Sequence, residues 1–162
     1  MRHAVPLFLL CFGAMTLPRP GRADEAEDRA VTFVAALDGV AVRDDKKPGK
    51  PVVEVGLYAS ELTDDGVKEL AGFKGMTTLG IGATAVTDAG LKHLAGLTGL
   101  TDLDIGQTQI TDAGLKHVAG LKALVKLNIN HTRVKDAGMK DIAAMKSLNT
   151  LVLTATEVTA SA

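Results

Sequence analysis

The chain has 162 residues, enough for one compact domain or a short array of repeated units. Hydrophobic residues make up 46%, but aromatics are only 3% and Trp is absent, so the core must be built from Leu, Val, Ile and Ala. With 18 basic and 19 acidic residues the formal net charge is -1, which excludes a global field that would draw in nucleic acid or an anionic membrane.

Residues 1–23 read as a secretory signal peptide. Arg2 and His3 form a weakly basic start, and the apolar run from Ala4 to Leu17 is broken only by Pro6, Gly13 and Thr16. Gly21 and Ala23 supply the small side chains wanted before a cut, which places cleavage after Ala23. Arg19 and Arg22 lie close to that cut, so an uncleaved anchor is the alternative. The apolar run is shorter than the roughly 20 residues of a membrane span, so no stable span is expected. Export to the periplasm, the cell surface or the medium follows. Cys11, the only cysteine, lies in this leader behind Leu10, where a lipoprotein signal would want a small residue. The mature chain therefore has no thiol, disulfide or cysteine-based metal site.

Residues 24–52 read as an N-terminal cap, a helix followed by a short hairpin. Ala26, Ala30, Phe33, Val34 and Leu37 share one helical face, and Gly39 is placed to end the helix. Val40 and Val42 alternate into a charged stretch, where Pro48-Gly49 suits the centre of a type II turn. A flexible linker is the alternative for this segment.

From residue 53 the chain repeats every 24 residues, in units 53–76, 77–100, 101–124 and 125–148, with a partial unit at 149–162. Each unit changes period midway. Leu79 and Ile81 alternate with Gly80 and Gly82, as in a strand with one buried face, and Leu91, Leu94 and Leu97 then recur as the stripe of a short helix. Thr87-Asp88 stands where a cap for the first helical N–H groups belongs. Gly66, Gly90, Gly114 and Gly138 recur early in each helix, at a cost of about 1 kcal/mol each relative to Ala, which points to close packing or a special dihedral. A single unit cannot offset its own ordering entropy, so it must stack on neighbours. Strands pack about 4.8 Å apart and helices roughly 8–10 Å, so the stack bends with its strands inside.

Leu100-x-x-Leu103-x-Ile105-x-x-Thr108-x-Ile110 resembles the leucine-rich-repeat signature, with Met76 in the first leucine place of the preceding unit. Thr111-Asp-Ala-Gly-Leu-Lys-His-Val-Ala119 resembles the repeat variant of bacterial exported proteins and the cysteine-containing repeats beside F-boxes. The resemblance covers residues 53–162. It implies a right-handed α/β solenoid, with parallel strands on the concave face and short helices on the convex face, and a role in binding. The family's Asn or Cys position holds Ser60, Thr84, Thr108, Thr132 and Thr156 here. A ladder of hydroxyls bonding the turn backbone of neighbouring units is expected.

The columns of the repeat offer little chemistry. Glu69, His93, His117 and Asp141 are potential metal ligands, but packed helices hold them too far apart for one zinc. Lys68, Lys92, Lys116 and Lys140 read as a solvated stripe, and Asp64, Asp88, Asp112 and Asp136 as helix caps rather than a calcium site. No nucleophile elbow, phosphate loop or His-Glu-x-x-His motif occurs, so no enzyme, cofactor or metal is expected. The candidate site is the strand face, whose outward side chains are read as free of packing duty. Its partner-binding candidates are Tyr58, Asp102, Asp104, Lys126, Asn128 and Asn130, with Gln107 and His131 at the rim and a flat glycine patch beside Tyr58.

The function expected is a non-catalytic exported module that recognises an unidentified protein or peptide. A truncated piece of a longer array and an intracellular scaffold of the F-box kind are the alternatives. The partial fifth unit leaves Ile142, Met145 and Leu148 without a following helix. Self-association through that end, or its burial by a partner or further sequence, is expected.

Overall fold

A strand with one apolar face and a helix of two turns can bury their side chains only against neighbours, and the repeat supplies a neighbour every 24 residues. The computed structural model describes residues 22–159, so the segment read as a leader lies outside them apart from its last two residues. Helix α1 (Arg22–Ala36) precedes β1 (Val40–Arg43) and β2 (Val52–Gly56). Helix and strand then alternate through α2 (Asp64–Leu70), β3 (Thr78–Gly80), α3 (Asp88–Leu91), β4 (Asp102–Asp104), α4 (Asp112–Val118), β5 (Lys126–Asn128), α5 (Asp136–Ala143) and β6 (Thr150–Val152). A 3-10 turn, Lys92–Gly96, continues α3. The six strands form one sheet in chain order, with β1 antiparallel to β2 and every later pair parallel. The register advances by one repeat per strand, which sets Val55, Leu79, Leu103, Leu127 and Leu151 side by side. The molecule is an α/β leucine-rich-repeat solenoid.

Equal positions in the repeat become columns of the core. Val55, Leu79, Leu103 and Leu127 lie under the strands, and Val67, Leu91 and Leu115 lie under the helix starts, all fully buried. Removing such a side chain, as in Leu103→Ala, leaves a cavity worth about 2–5 kcal/mol.

The aspartate column does not cap its own helices. The capping side chains are Thr87 and Thr111, which accept the N–H groups of Ala89 and Ala113 at 3.3 and 3.2 Å. Each aspartate, one residue further on, turns its carboxylate to the following unit instead. Thr87 donates its N–H and its hydroxyl to Asp64, both at 2.7 Å. Thr111 does the same to Asp88 at 2.8 and 2.6 Å, and Thr159 to Asp136 at 2.7 Å for both bonds. Lys135, with no hydroxyl, donates only its N–H to Asp112, at 2.8 Å.

This arrangement explains the recurring glycines. A Cβ on Gly90 would lie 2.6 Å from Asp64 Oδ1, and one on Gly138 would lie 2.5 Å from Asp112 Oδ1. One on Gly114 would meet Asp88 Oδ1 closer still. Close packing, not a special dihedral, is the reason for glycine, since the position must accept the previous unit's carboxylate. Gly66 has no preceding repeat, and there the ring of Phe33 from α1 fills the place, with Cζ 2.8 Å from where a Cβ would stand.

The hydroxyl ladder between units is not formed. Thr84, Thr108 and Thr132 donate to the carbonyls of Ile81, Ile105 and Ile129 at 2.6–2.7 Å, each within its own unit. Ser60 and Thr156 repeat the pattern at 2.9 Å. A short side chain reaches the carbonyl three residues back more readily than the next unit, whose carbonyls are already taken by backbone. Ile81 N–H donates to Asp104 at 2.9 Å, and Gln107 N–H donates to Asn130 at 2.7 Å. These bonds carry the ladder past the strand ends through Ala59, Ala83, Gln107 and His131, which, with Ala155, hold φ between 51 and 57° without being glycine.

At the N-terminus α1 ends in a Schellman arrangement, with Gly39 N–H to Val34 O at 2.9 Å and Asp38 N–H to Ala35 O at 3.2 Å. The left-handed residue is Asp38, at φ 54°, and not Gly39. Gly39 is instead packed, because a Cβ there would lie 2.9 Å from the Gly56 carbonyl and nearer still to Leu57 and Val34. The turn at Pro48-Gly49 closes with Lys50 N–H to Lys47 O at 3.0 Å and Gly49 at φ 75°. Arg43 ties this hairpin to α1 through Glu27 at 2.6 Å.

Gly114→Ala is expected to cost about 1–3 kcal/mol by overpacking against Asp88. Gly96→Ala, with nothing within 4 Å of the new methyl group, is expected to be neutral or stabilising by about 0.4–1 kcal/mol. In urea melts, Gly114→Ala combined with Asp88→Ala should cost less than the two singly. Strict additivity would show that carboxylate and glycine do not share this space.

Candidate functional site

Alternation along each strand sends every second side chain away from the core, so the sheet presents an outer face one residue deep. Five of the residues singled out in the sequence, Tyr58, Asp102, Asp104, Lys126 and Asn128, line one groove of about 270 Å³ there, with Thr78, Thr150 and Val152. Gln107 and His131 are not part of it. They belong to a second, polar groove along the turns, with Arg133 and Glu157. Asn130 lines neither groove, and its side chain lies over Gly106.

The glycine patch is not open. Tyr58 extends from the end of β2 across the next strand, where its hydroxyl and ring occupy the place a side chain would take on Gly80. Asp104 Oδ1 and Tyr58 Cδ1 lie 3.3 and 3.5 Å from where a Cβ on Gly82 would stand. Gly80, Gly82 and Gly106 are consequently buried, although they lie on the outer side of the sheet.

The outward charges also carry structural duty. Asp104 Oδ1 accepts the N–H of Gly106 at 3.0 Å, and Asn128 Oδ1 does the same for Asn130 at 3.0 Å, closing each strand end. Asp102 binds Lys126 at 2.9 Å and accepts the Thr101 hydroxyl at 2.8 Å. The Lys126 hydrogen bond, aided by Thr101, holds the Asp102 carboxyl below its ordinary range, against the opposing effect of burial. Because the folded-state pKa is depressed, this contribution to stability is complete above about pH 4 and is lost as pH falls through the folded value.

The cap adds a strand that the sequence did not assign to this face. Val40 pairs with Gly56 and Val42 with Glu54, so both valines stand on the outer side beside Tyr58. Among the described residues the exposed large hydrophobics are Val40, Val42, Tyr58 and Val152, between 40 and 62% exposed. All four lie on this one face. The alternation of Val40 and Val42 was a signal for a strand, but the antiparallel register that places them was not readable across the intervening loop.

Tyr58 is the chain's only tyrosine and there is no tryptophan, so ultraviolet difference absorption reports this phenol alone. Burial, then the charges of Asp104 and Glu54, push its pKa above the ordinary value. An alkaline titration should therefore show ionisation above about pH 10, moving down in Asp104→Asn. A titration at the ordinary value, unmoved by that substitution, would show that ring and carboxylate are not neighbours.

A family model described as Leucine Rich repeat matches residues 97–119. A search of curated protein sequences finds no match. Among solved structures, an internalin from Listeria monocytogenes is 26% identical at TM-score 0.41, covering 57% of this chain and 32% of its own. The leucine-rich-repeat ectodomain of the receptor kinase GASSHO1/SCHENGEN3 from Arabidopsis thaliana, solved in complex with CASPARIAN STRIP INTEGRITY FACTOR 2, is 16% identical at TM-score 0.55. That match covers 74% of this chain and 14% of the ectodomain, so the chain spans less than a third of either of these proteins. Leiomodin-1 Actin-Binding Site 2 is 15% identical at TM-score 0.55, covering 83% of this chain and 80% of its own. Residues 97–119 thus match the leucine-rich repeat itself, and the chain shares the leucine-rich-repeat solenoid fold with these structures.

Proposed function

We propose that this protein is a non-catalytic module that recognises a protein or peptide on its strand face. The observation that carries the reading is the gathering of its exposed large hydrophobics, Val40, Val42, Tyr58 and Val152, on that face. Exposed apolar side chains scattered singly need no explanation, whereas a set rimmed by polar groups on one surface favours a contact. The convex helices present the lysine stripe, which favours solvent. Two structural neighbours are described by what they bind, a receptor ectodomain in complex with a second protein and an actin-binding site. Their likeness supports a binding role here.

The reading extends to an exported protein. The basic start, the apolar run from Ala4 to Leu17 and the small residues Gly21 and Ala23 support it, as does the resemblance of the Thr-Asp-Ala-Gly-Leu-Lys units to those of bacterial exported proteins. Among the described residues no helix is long and apolar enough to cross a membrane.

A photo-crosslinking residue at Thr78, on the strand face, is expected to trap a macromolecule in the producing cell, while one at Lys92, on the helices, traps none. Adducts from Lys92 only, or from neither position, would overturn the strand-face reading. For export, N-terminal sequencing of protein from outside the cytoplasm should begin near Asp24. Intact Met1 or Arg2 in cytoplasmic protein would refute it.

A further inference from the structure

The strand face carries negative charge at its centre that its own cation does not cancel. Glu54, Asp102 and Asp104 stand on β2 and β4, and Lys126, on β5, is bonded to Asp102. Among the described residues neither Glu54 nor Asp104 has a Lys or Arg within ion-pair range. The Tyr58 ring is the neighbour of the Asp104 carboxylate across the Gly82 position, 3.5 and 3.3 Å from the same point. A ring beside a carboxylate suits a cationic side chain, which gains from the π-face and from a charge-assisted hydrogen bond together. Apolar contacts lie to both sides, Val42 on β1 and Val152 on β6. From β1 to β6 there are five inter-strand steps of about 4.8 Å, or about 24 Å, the reach of roughly seven residues of extended chain.

Resting on the reading of this face as the binding surface, we propose that it takes an extended peptide segment with one Lys or Arg side chain seated between Tyr58 and Asp104. Apolar side chains before and after that cation rest on Val42 and Val152. Charge complementarity sets the centre of the partner and the exposed valines set its ends. A partner with an acidic centre meets Asp104 and Glu54 as like charges and is rejected.

The test is a library of random peptides of about nine residues, panned against the full chain. The expected winners carry Lys or Arg at one position with apolar residues on either side. A synthetic winner should bind about tenfold more weakly when its cation is replaced by Met, and about tenfold more weakly to Asp104→Asn. That substitution removes the charge but keeps the acceptor for Gly106, as Asn128 does for Asn130 in the next unit, and thermal melts check that the fold is kept. Winners with neutral or acidic centres, winners indifferent to Asp104→Asn, or no winners at all overturn the proposal. Neutral-centred winners that lose binding in Tyr58→Ala leave the strand-face reading standing. Winners indifferent to both positions sink it as well.

Discussion

The solenoid depends on one contact made again at each junction, in which a carboxylate from one helix start accepts the first N–H of the next. At the part-buried junctions of Asp64 with Thr87 and Asp88 with Thr111, an ionised acceptor makes such a bond worth roughly 1.5–3 kcal/mol, and the threonine hydroxyl adds a second. The carboxylate needs a place to lie, and it lies where the next helix would otherwise have a side chain. Glycine in a helix interior costs about 1 kcal/mol, which the bonds it permits more than offset. The strands fix spacing on one side of the molecule, and the aspartates fix it on the other, so neither layer can slip against its neighbour without breaking the opposite one.

This division of labour leaves the strand face with its own logic. The junction is held at the helix starts and along the backbone ladder, and the outward side chains of the strands add contacts of their own. Asp104 and Asn128 close strand ends, Asn130 and Tyr58 cover glycines, and Asp102 is paired with Lys126. What remains is a surface whose polar atoms are already positioned by short-range bonds and whose apolar residues are exposed. A surface so ordered loses little side-chain entropy when it meets a partner.

The sequence made the fold legible because the period was unbroken and each unit changed from alternation to helical spacing. Val55, Leu79, Leu103 and Leu127 are buried where their positions in the repeat place them. The harder features depend on what lies across a junction. Asp88 and Thr87 are adjacent in the chain, so a local cap was the natural reading, but the partner of Asp88 is Thr111, 23 residues away. The glycine column was visible and its cause was not, since only the stacked neighbour supplies the carboxylate. Thr84 and its equivalents misled in the opposite sense, bonding locally where a long-range ladder was expected. In the strand face the sequence singled out five of the groove residues but missed Val40 and Val42, because an antiparallel partner cannot be assigned from a repeat that it does not belong to.

Because units 77–100, 101–124 and 125–148 each give a carboxylate forward and receive one from behind, the interface between units is heterologous and has a direction. A unit copied in frame would bring both halves of its contacts with it. The copy would meet a glycine ahead and a carboxylate behind without any new complementarity having to evolve, so the number of units is free to drift over descent. The first unit has no such freedom. Its Gly66 is served by an aromatic ring from a helix outside the repeat, so copying a unit in frame cannot supply that junction.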